Sequence, residues 1–396
     1  MVFYKQFHTV KRTGLVAWHY IISQLSVRTV AILLILVMVF NGIMIPLQFG
    51  LLKPFEPETA YAATTITSFT YKKDVTFDTT AAGANVSSSQ SSFPVAVHIN
   101  TSSWPTQSER DNFFDNAGSA GKRVQFFDSD ETTNLDYEVE YFDNTQGSEE
   151  AIYWVRVPTV SGNSSTDKIV VAYGNDPNGS DQANPTGVWD SSYEMVQHLG
   201  DNSWGSSPEA KDSAPNANNG TNAGSLNADG KVRRGRSFVT DDYINTDTVV
   251  SEVGTNTAGT FSAWLYPSSA TQGSIITFGD TDARNWIYFI IQSSGILTAT
   301  LMQGGTYQWA TDTDTGIGLN AWHHVVLVQD GTSSEIYVDG AQPAQAFFIS
   351  TDKTKWFSAV SGIDNGRIGS LNKNSAGNAR FLDGTVDEVR ISSTNR

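Results

Sequence analysis

The chain has 396 residues, with 41 acidic against 25 basic side chains, a formal charge of −16 and no cysteine. That balance, without any Lys/Arg run, excludes nucleic acid as a partner. The missing cysteine excludes disulfides, so an exported fold has to be held by its core, or by core plus metal.

Residues 29–47 form the one long apolar block. Lys5, Lys11, Arg12 and Arg28 precede it and Ala60-Tyr61-Ala62 follows. Basic, apolar, then a small-residue A-x-A site is the order of a secretory signal. The expectation is a signal over 1–62, cleaved after Ala62, with a retained membrane anchor as the alternative. Everything beyond it is then exported to a bacterial envelope or the extracellular space, and a membrane is touched only through this segment.

From Phe69 onward the chain reads as short strands between turn clusters. Phe93–Ile99, Arg123–Asp128, Tyr137–Phe142, Ala151–Val157 and Lys168–Gly174 alternate or run apolar, which predicts a β-sandwich over 66–187. Gln107 to Asn116 reads as one short helix. Asp136, Glu138 and Glu140 share one face of their strand, since side chains alternate with period two. Same-face neighbours sit ~6.5–7 Å apart, near the spacing of paired catalytic carboxylates. The simpler expectation is a solvated face, with Tyr137, Val139 and Tyr141 packed inside. The order Arg123–Asp143, Ala151–Pro158 and Lys168–Asn175 resembles the family called domain of unknown function 2341, which implies a secreted β-domain without a known reaction. Val188-Trp189-Asp190 resembles that family's usual join to a following jelly roll.

The second half is organised around 320–340. Trp322, His324, Val326 and Val328 alternate with His323, Val325, Leu327 and Gln329. Asp330-Gly331-Thr332-Ser333 supplies turn chemistry, and Ile336 and Val338 return, ending at Asp339-Gly340. This is an antiparallel hairpin whose first strand, apolar on both faces, belongs inside a sheet. Further strands are expected at Arg236–Ile244, Phe261–Pro267, Ser274–Phe278, Trp286–Ile291, Ile296–Met302, Tyr307–Thr311, Gly366–Ser370 and Phe381–Ile391. The hairpin, Phe261–Pro267 and Leu382–Ile391 together resemble concanavalin A-like, laminin G-type jelly rolls over roughly 188–396. The resemblance implies an all-β chain of two β-sandwich domains, the second a jelly roll. It also implies one structural calcium, with Asp212 and Asp387 at the positions where the family places ligands.

No G-x-S-x-G or P-loop occurs, and His323 and His324 point to opposite strand faces, so they cannot chelate jointly. Tyr307, Trp309 and Trp356 are the candidate ligand-stacking rings, with Tyr307 and Trp309 expected on one strand face; Trp264 and Trp322 are assigned to the core. The expected function is a non-catalytic binding or adhesion module for a glycan or cell-surface polymer. The alternatives are a glycoside hydrolase or polysaccharide lyase relative using Asp136, Glu138 and Glu140, and a structural spacer of a larger surface protein.

Overall fold

The computed structural model describes residues 65–174, 181–200 and 210–396. The expected signal therefore lies outside the described residues. Among those described, no helix is long and apolar enough to cross a membrane.

The first sandwich pairs two antiparallel sheets. One runs Tyr71–Thr76, Lys168–Tyr173, Val124–Asp128, Asn134–Leu135; the other runs Gln90–Ile99, Glu150–Val160, Tyr137–Asp143. Period two sorts the side chains. Ala151, Tyr153, Val155 and Val157 enter the core with Phe126, Tyr137 and Val171, while Trp154 faces outward into a separate cluster. The buried phenols are satisfied: Tyr137 donates to the carbonyls of Lys122 and Val124, and Tyr153 to that of Gly121. The helix Gln107–Asn116 closes this core with Phe113 and Phe114.

The second sandwich faces a seven-stranded sheet against an eight-stranded one. The first runs Leu226–Asp229, Arg234–Phe238, Gly384–Ser392, Gly259–Pro267, His323–Gln329, Ser334–Val338, with Tyr193–Gln197 also paired to Gly384–Ser392. The second runs Gln345–Ser350, Thr306–Thr313, Leu297–Gln303, Trp286–Ile291, Gly273–Gly279, Asn365–Ile368, Tyr243–Asn245, Thr221–Ala223. Between them lies one apolar core built from Phe261, Leu265, Phe278, Phe289, Leu327 and Ile391 among others. The hairpin forms as expected, and its register sets Val325 opposite Val338, Leu327 opposite Ile336 and Gln329 opposite Ser334. Asp330 Oδ1 accepts the amides of Thr332 and Ser333, which sets the turn.

Two pairs of tryptophans exchange the places expected of them. Trp309 and Trp356 are fully buried at 0% and 1% exposure and stack at 6.2 Å in the core, so neither offers a ring to a ligand. The reason lies in a bulge. Leu301 pairs with Trp309 but Met302 pairs with Tyr307, so Gln308 is the extra residue. Trp309 turns inward beside Leu301, and Tyr307 turns outward with Met302. Trp309 also donates its indole N–H to the Lys355 carbonyl at 2.8 Å. Trp309→Ala is expected to cost about 3–5 kcal/mol, read as a lower melting temperature. Trp264 and Trp322 leave the core instead. Both are half-buried on the outer face of the seven-stranded sheet, because Phe261, Ala263, Leu265, Val325 and Leu327 hold the inner positions of their strands.

Candidate functional site

Two places combine chemistry-bearing side chains. The first is where the outer face of strand Tyr137–Asp143 meets the jelly roll. Tyr137 and Val139 pack inward as expected, but a register shift after Val139 takes Tyr141 out of the core and under the Arg233 guanidinium, and the opposite face is not solvated. Asp136 alone is exposed, accepting from the Asn184 amide at 2.9 Å. Glu138 is 2% exposed, and the Glu140 side chain 5%. His198, just beyond strand Tyr193–Gln197, stands between them and Glu388 of strand Gly384–Ser392. Its Nδ1 is 2.9 Å from Glu388 and 3.8 Å from Glu140, and its Nε2 is 3.3 Å from Glu138. Trp189 donates to Glu138 at 2.8 Å, Ser213 donates its hydroxyl to the same carboxylate at 2.5 Å, and Trp154 donates to Glu140 at 2.7 Å. Arg390 pairs with Glu388 at 2.8 Å and lies over the rings of Trp154 and Trp189. The Trp154 ring stacks on His198 at 5.5 Å.

This arrangement splits the acids. Burial pushes every one of them up. At Glu138 the His198 charge and the hydrogen bonds from His198, Ser213 and Trp189 outweigh burial and hold it at about 2. Glu140, buried and facing the Glu388 charge, is pushed up to about 8. Asp387 is raised for the same two reasons, burial and Glu388. Burial alone would lower His198, but Glu388 and Glu138 raise it, so it carries a proton. Glu140, His198 and Glu388 are the His/Asp/Glu set whose ligand atoms converge among the described residues, within 4.8 Å of one another. At neutral pH the group is a charged histidine between two ionised glutamates, with Glu140 protonated.

The second place is the outer face of the seven-stranded sheet. Trp264 lies beside His324 at 5.1 Å and Tyr266 beside Trp322 at 5.6 Å, all four rings half-buried. Lys231 caps Trp264 at 4.6 Å. Burial, then the Arg390 charge, push His324 down to about 4, so at neutral pH it is an uncharged ring. The row runs into a cleft of about 370 Å³ between the sandwiches, where Phe93, Trp154, Trp264, His324 and Arg390 meet. That volume suits a small ligand.

The two residues expected to hold calcium are each bonded by backbone amides. Asp212 is 3% exposed and accepts the amides of Val196, Ala214 and Asn218. Asp387 accepts those of Val232 and Glu388. Five backbone donors occupy the two carboxylates, and neither belongs to the converging set. Calcium takes six or more oxygens, backbone carbonyls and waters among them, so an ion here would need further oxygens beside these two carboxylates.

Residues 238–396 match the family described as the concanavalin A-like lectin/glucanases superfamily. Residues 120–205 match the domain of unknown function 2341, so the two families stand in the order the sequence motifs indicate. The chain has no match among curated proteins. It is similar to a carbohydrate-binding module, the CBM40 of Ruminococcus gnavus IT-sialidase bound to alpha2,3 sialyllactose, at 14% identity over 44% of this chain and 92% of that one, TM-score 0.36. It is similar to domain 4 of AbnA, a GH43 extracellular arabinanase from Geobacillus stearothermophilus in complex with arabinotriose, at 18% identity over 51% and 93%, TM-score 0.39. A leech intramolecular trans-sialidase matches at 16% over 45% of this chain and 25% of that one, TM-score 0.35.

Within the second sandwich, the structure separates the three rings expected to bind. Tyr307 is half-buried on the outer face of the eight-stranded sheet, away from Trp309 and Trp356. His198, Glu388, Arg390, Trp154 and Trp189 had no signal as a group, because they come from distant strands. Trp264 did have one: Ser262, Trp264 and Tyr266 alternate with Phe261, Ala263 and Leu265, so it shares a face with a serine.

Proposed function

We propose that this chain is a non-catalytic carbohydrate-binding module, exported to the cell envelope or extracellular space, that holds a glycan on the ring row of its jelly roll. The supporting observation is the row itself. Trp264, Tyr266, Trp322 and His324 stay half-exposed on a rigid sheet, and a ring's apolar face packs on the C–H face of a sugar. Arg390 and Lys231 stand beside them to bond hydroxyls. The test is a panel of immobilised neutral and charged glycans probed with the full chain. Trp264→Ala and Trp322→Ala are expected to weaken retention about tenfold or more while Tm stays near the parent value. Retention unchanged in both variants counts against the row.

One observation favours the enzyme alternative: Glu138 and Glu140 titrate far apart, as a general acid and its partner carboxylate do. Both are sealed from solvent by Trp154, Trp189 and His198, with their oxygens bonded to those groups, which leaves no face for a glycosidic bond. Reducing sugar released from a polysaccharide by the parent and not by Glu140→Gln would restore that reading.

A further inference from the structure

Three cations gather on the outer face of the eight-stranded sheet, the face opposite the core and remote in topology from the ring row. Lys373 leaves the short strand Leu371–Asn372 with its Nζ 3.6 Å from the centre of the Trp286 ring and 5.8 Å from Tyr288. Arg380 follows the partner strand Asn378–Ala379, its guanidinium 5.0 Å from Tyr288. Arg284 is exposed in the turn before Trp286, and its field, like that of Arg380, reaches both Lys373 and Tyr307. Among the described residues no carboxylate pairs with them: the arginine ion pairs are made by Arg110, Arg233, Arg367, Arg390 and Arg396, and the lysine ones by Lys72, Lys73, Lys122, Lys168, Lys211 and Lys355. Burial and the two arginines hold Lys373 down at about 8, the mark of a cation without a counter-charge.

A second observation points to a ligand at the same spot. Trp286 Nε1, Thr300 Oγ1, Ser274 Oγ and Arg380 Nη1 are buried and have no hydrogen-bond partner, and Trp286 is only 3% exposed. The registers place Ser274 opposite Ile290, Thr300 opposite Tyr288, and Trp286 opposite Met302, so all three strand residues share the outer face. Buried donors left unpaired are costly and are commonly met by water or by a bound group.

We propose that Lys373, Arg380 and Arg284, with Tyr307 beside them, bind the acidic group of a charged saccharide, a uronate carboxylate or a sulfate ester. The cations hold the oxyanion, and the half-buried Tyr307 ring offers an apolar face to the sugar. A peptide or lipid phosphate would use the cations but has less need of that ring. The site is separate from the ring row, so either can fail alone. A net charge of −16 disfavours indiscriminate adhesion of polyanions, which makes binding diagnostic.

The experiment titrates the full chain with polygalacturonate, dextran sulfate and neutral dextran. Polygalacturonate or dextran sulfate is expected to bind and dextran not to bind at this face; which of the two binds tells carboxylate from sulfate. Lys373→Gln/Arg380→Gln is expected to weaken the charged polymer at least tenfold and Arg284→Glu, an exposed change that leaves Tm unmoved, severalfold. Trp264→Ala leaves this binding intact. Affinity falls as pH rises through 8, when Lys373 loses its proton. Failure of both acidic polymers to bind overturns the proposal, as does equal binding by parent and both variants. So does binding only to anionic phospholipid vesicles.

Discussion

Glu138→Ala is expected to melt about 10 °C below the parent chain, the largest loss from any single acidic residue. The Glu138 carboxylate accepts from Trp189, Ser213 and His198, three donors drawn from the linker and the jelly roll onto one strand of the first sandwich. Truncation leaves those donors buried without an acceptor and leaves the His198 charge with Glu388 as its remaining close anion. Breaking one partner of a buried network of this kind costs roughly 3–5 kcal/mol, and a domain of 150–250 residues shifts by about 2–4 °C per kcal/mol. Asp136→Ala, two residues away on the same strand face but exposed, is the control and is expected to stay within about 0.5 kcal/mol. Differential scanning calorimetry checks both. Equal melting of the two variants would mean that the junction contributes nothing, and that the acids of this strand are the solvated row that alternation alone suggests.

The contrast between Asp136 and Glu138 also shows what the sequence carried. Where no bulge intervenes, periodicity told which side of a strand faces its own core: Tyr137 and Val139 inward, Val325 and Leu327 inward; it also placed Phe113 and Phe114 on a helix bounded at Gln107 and Asn116. Those readings depend only on local geometry, so the two sandwiches and the hairpin were legible. What covers the other side of a strand is a long-range fact. Nothing near Glu138 announces that His198, Ser213 and Trp189 will close over it. The tryptophan assignments failed for two different reasons. Trp309 was misplaced by a one-residue bulge at Gln308, which inverts the face of everything before it and has no sequence mark here. Trp264 was placed in the core by its bulk, although its alternation with Phe261, Ala263 and Leu265 already set it on the outer side. Of the rings first considered for binding, Tyr307 alone keeps an exposed edge, and it does so among the cations rather than among the other tryptophans.

The same junction makes stability depend on pH in an unusual direction. Facing one another there are Glu138 and Glu140 from one strand, Asp387, Glu388 and Arg390 from another, His198, Lys211 and Asp212. Glu140 holds its proton up to about 8 in the folded chain and releases it at its ordinary value when unfolded. Between those values the folded state binds the extra proton, so stability falls as pH rises through the window. Asp387 is shifted the same way, and so is Asp212, which burial lifts to about 6. His198 is raised, so its contribution is complete below its ordinary value and is lost as pH climbs through the folded one. Glu138, held at about 2, and Glu388, also lowered, act oppositely: their contribution is present above the ordinary carboxylate value and disappears in acid. The two sets leave a maximum near pH 5. From there to pH 8.5 the chain is expected to lose roughly 2–4 kcal/mol, about 5–10 °C in Tm. Charge repulsion in a chain at −16 also grows with pH, and Glu140→Gln separates the causes. Glutamine keeps an oxygen for the Trp154 indole and cannot ionise, so the variant is expected to melt higher than the parent at pH 8.5 and to match it at pH 5. A Glu140→Gln profile that runs parallel to the parent from pH 5 to 8.5 would show that the proton on Glu140 is not what couples this junction to pH.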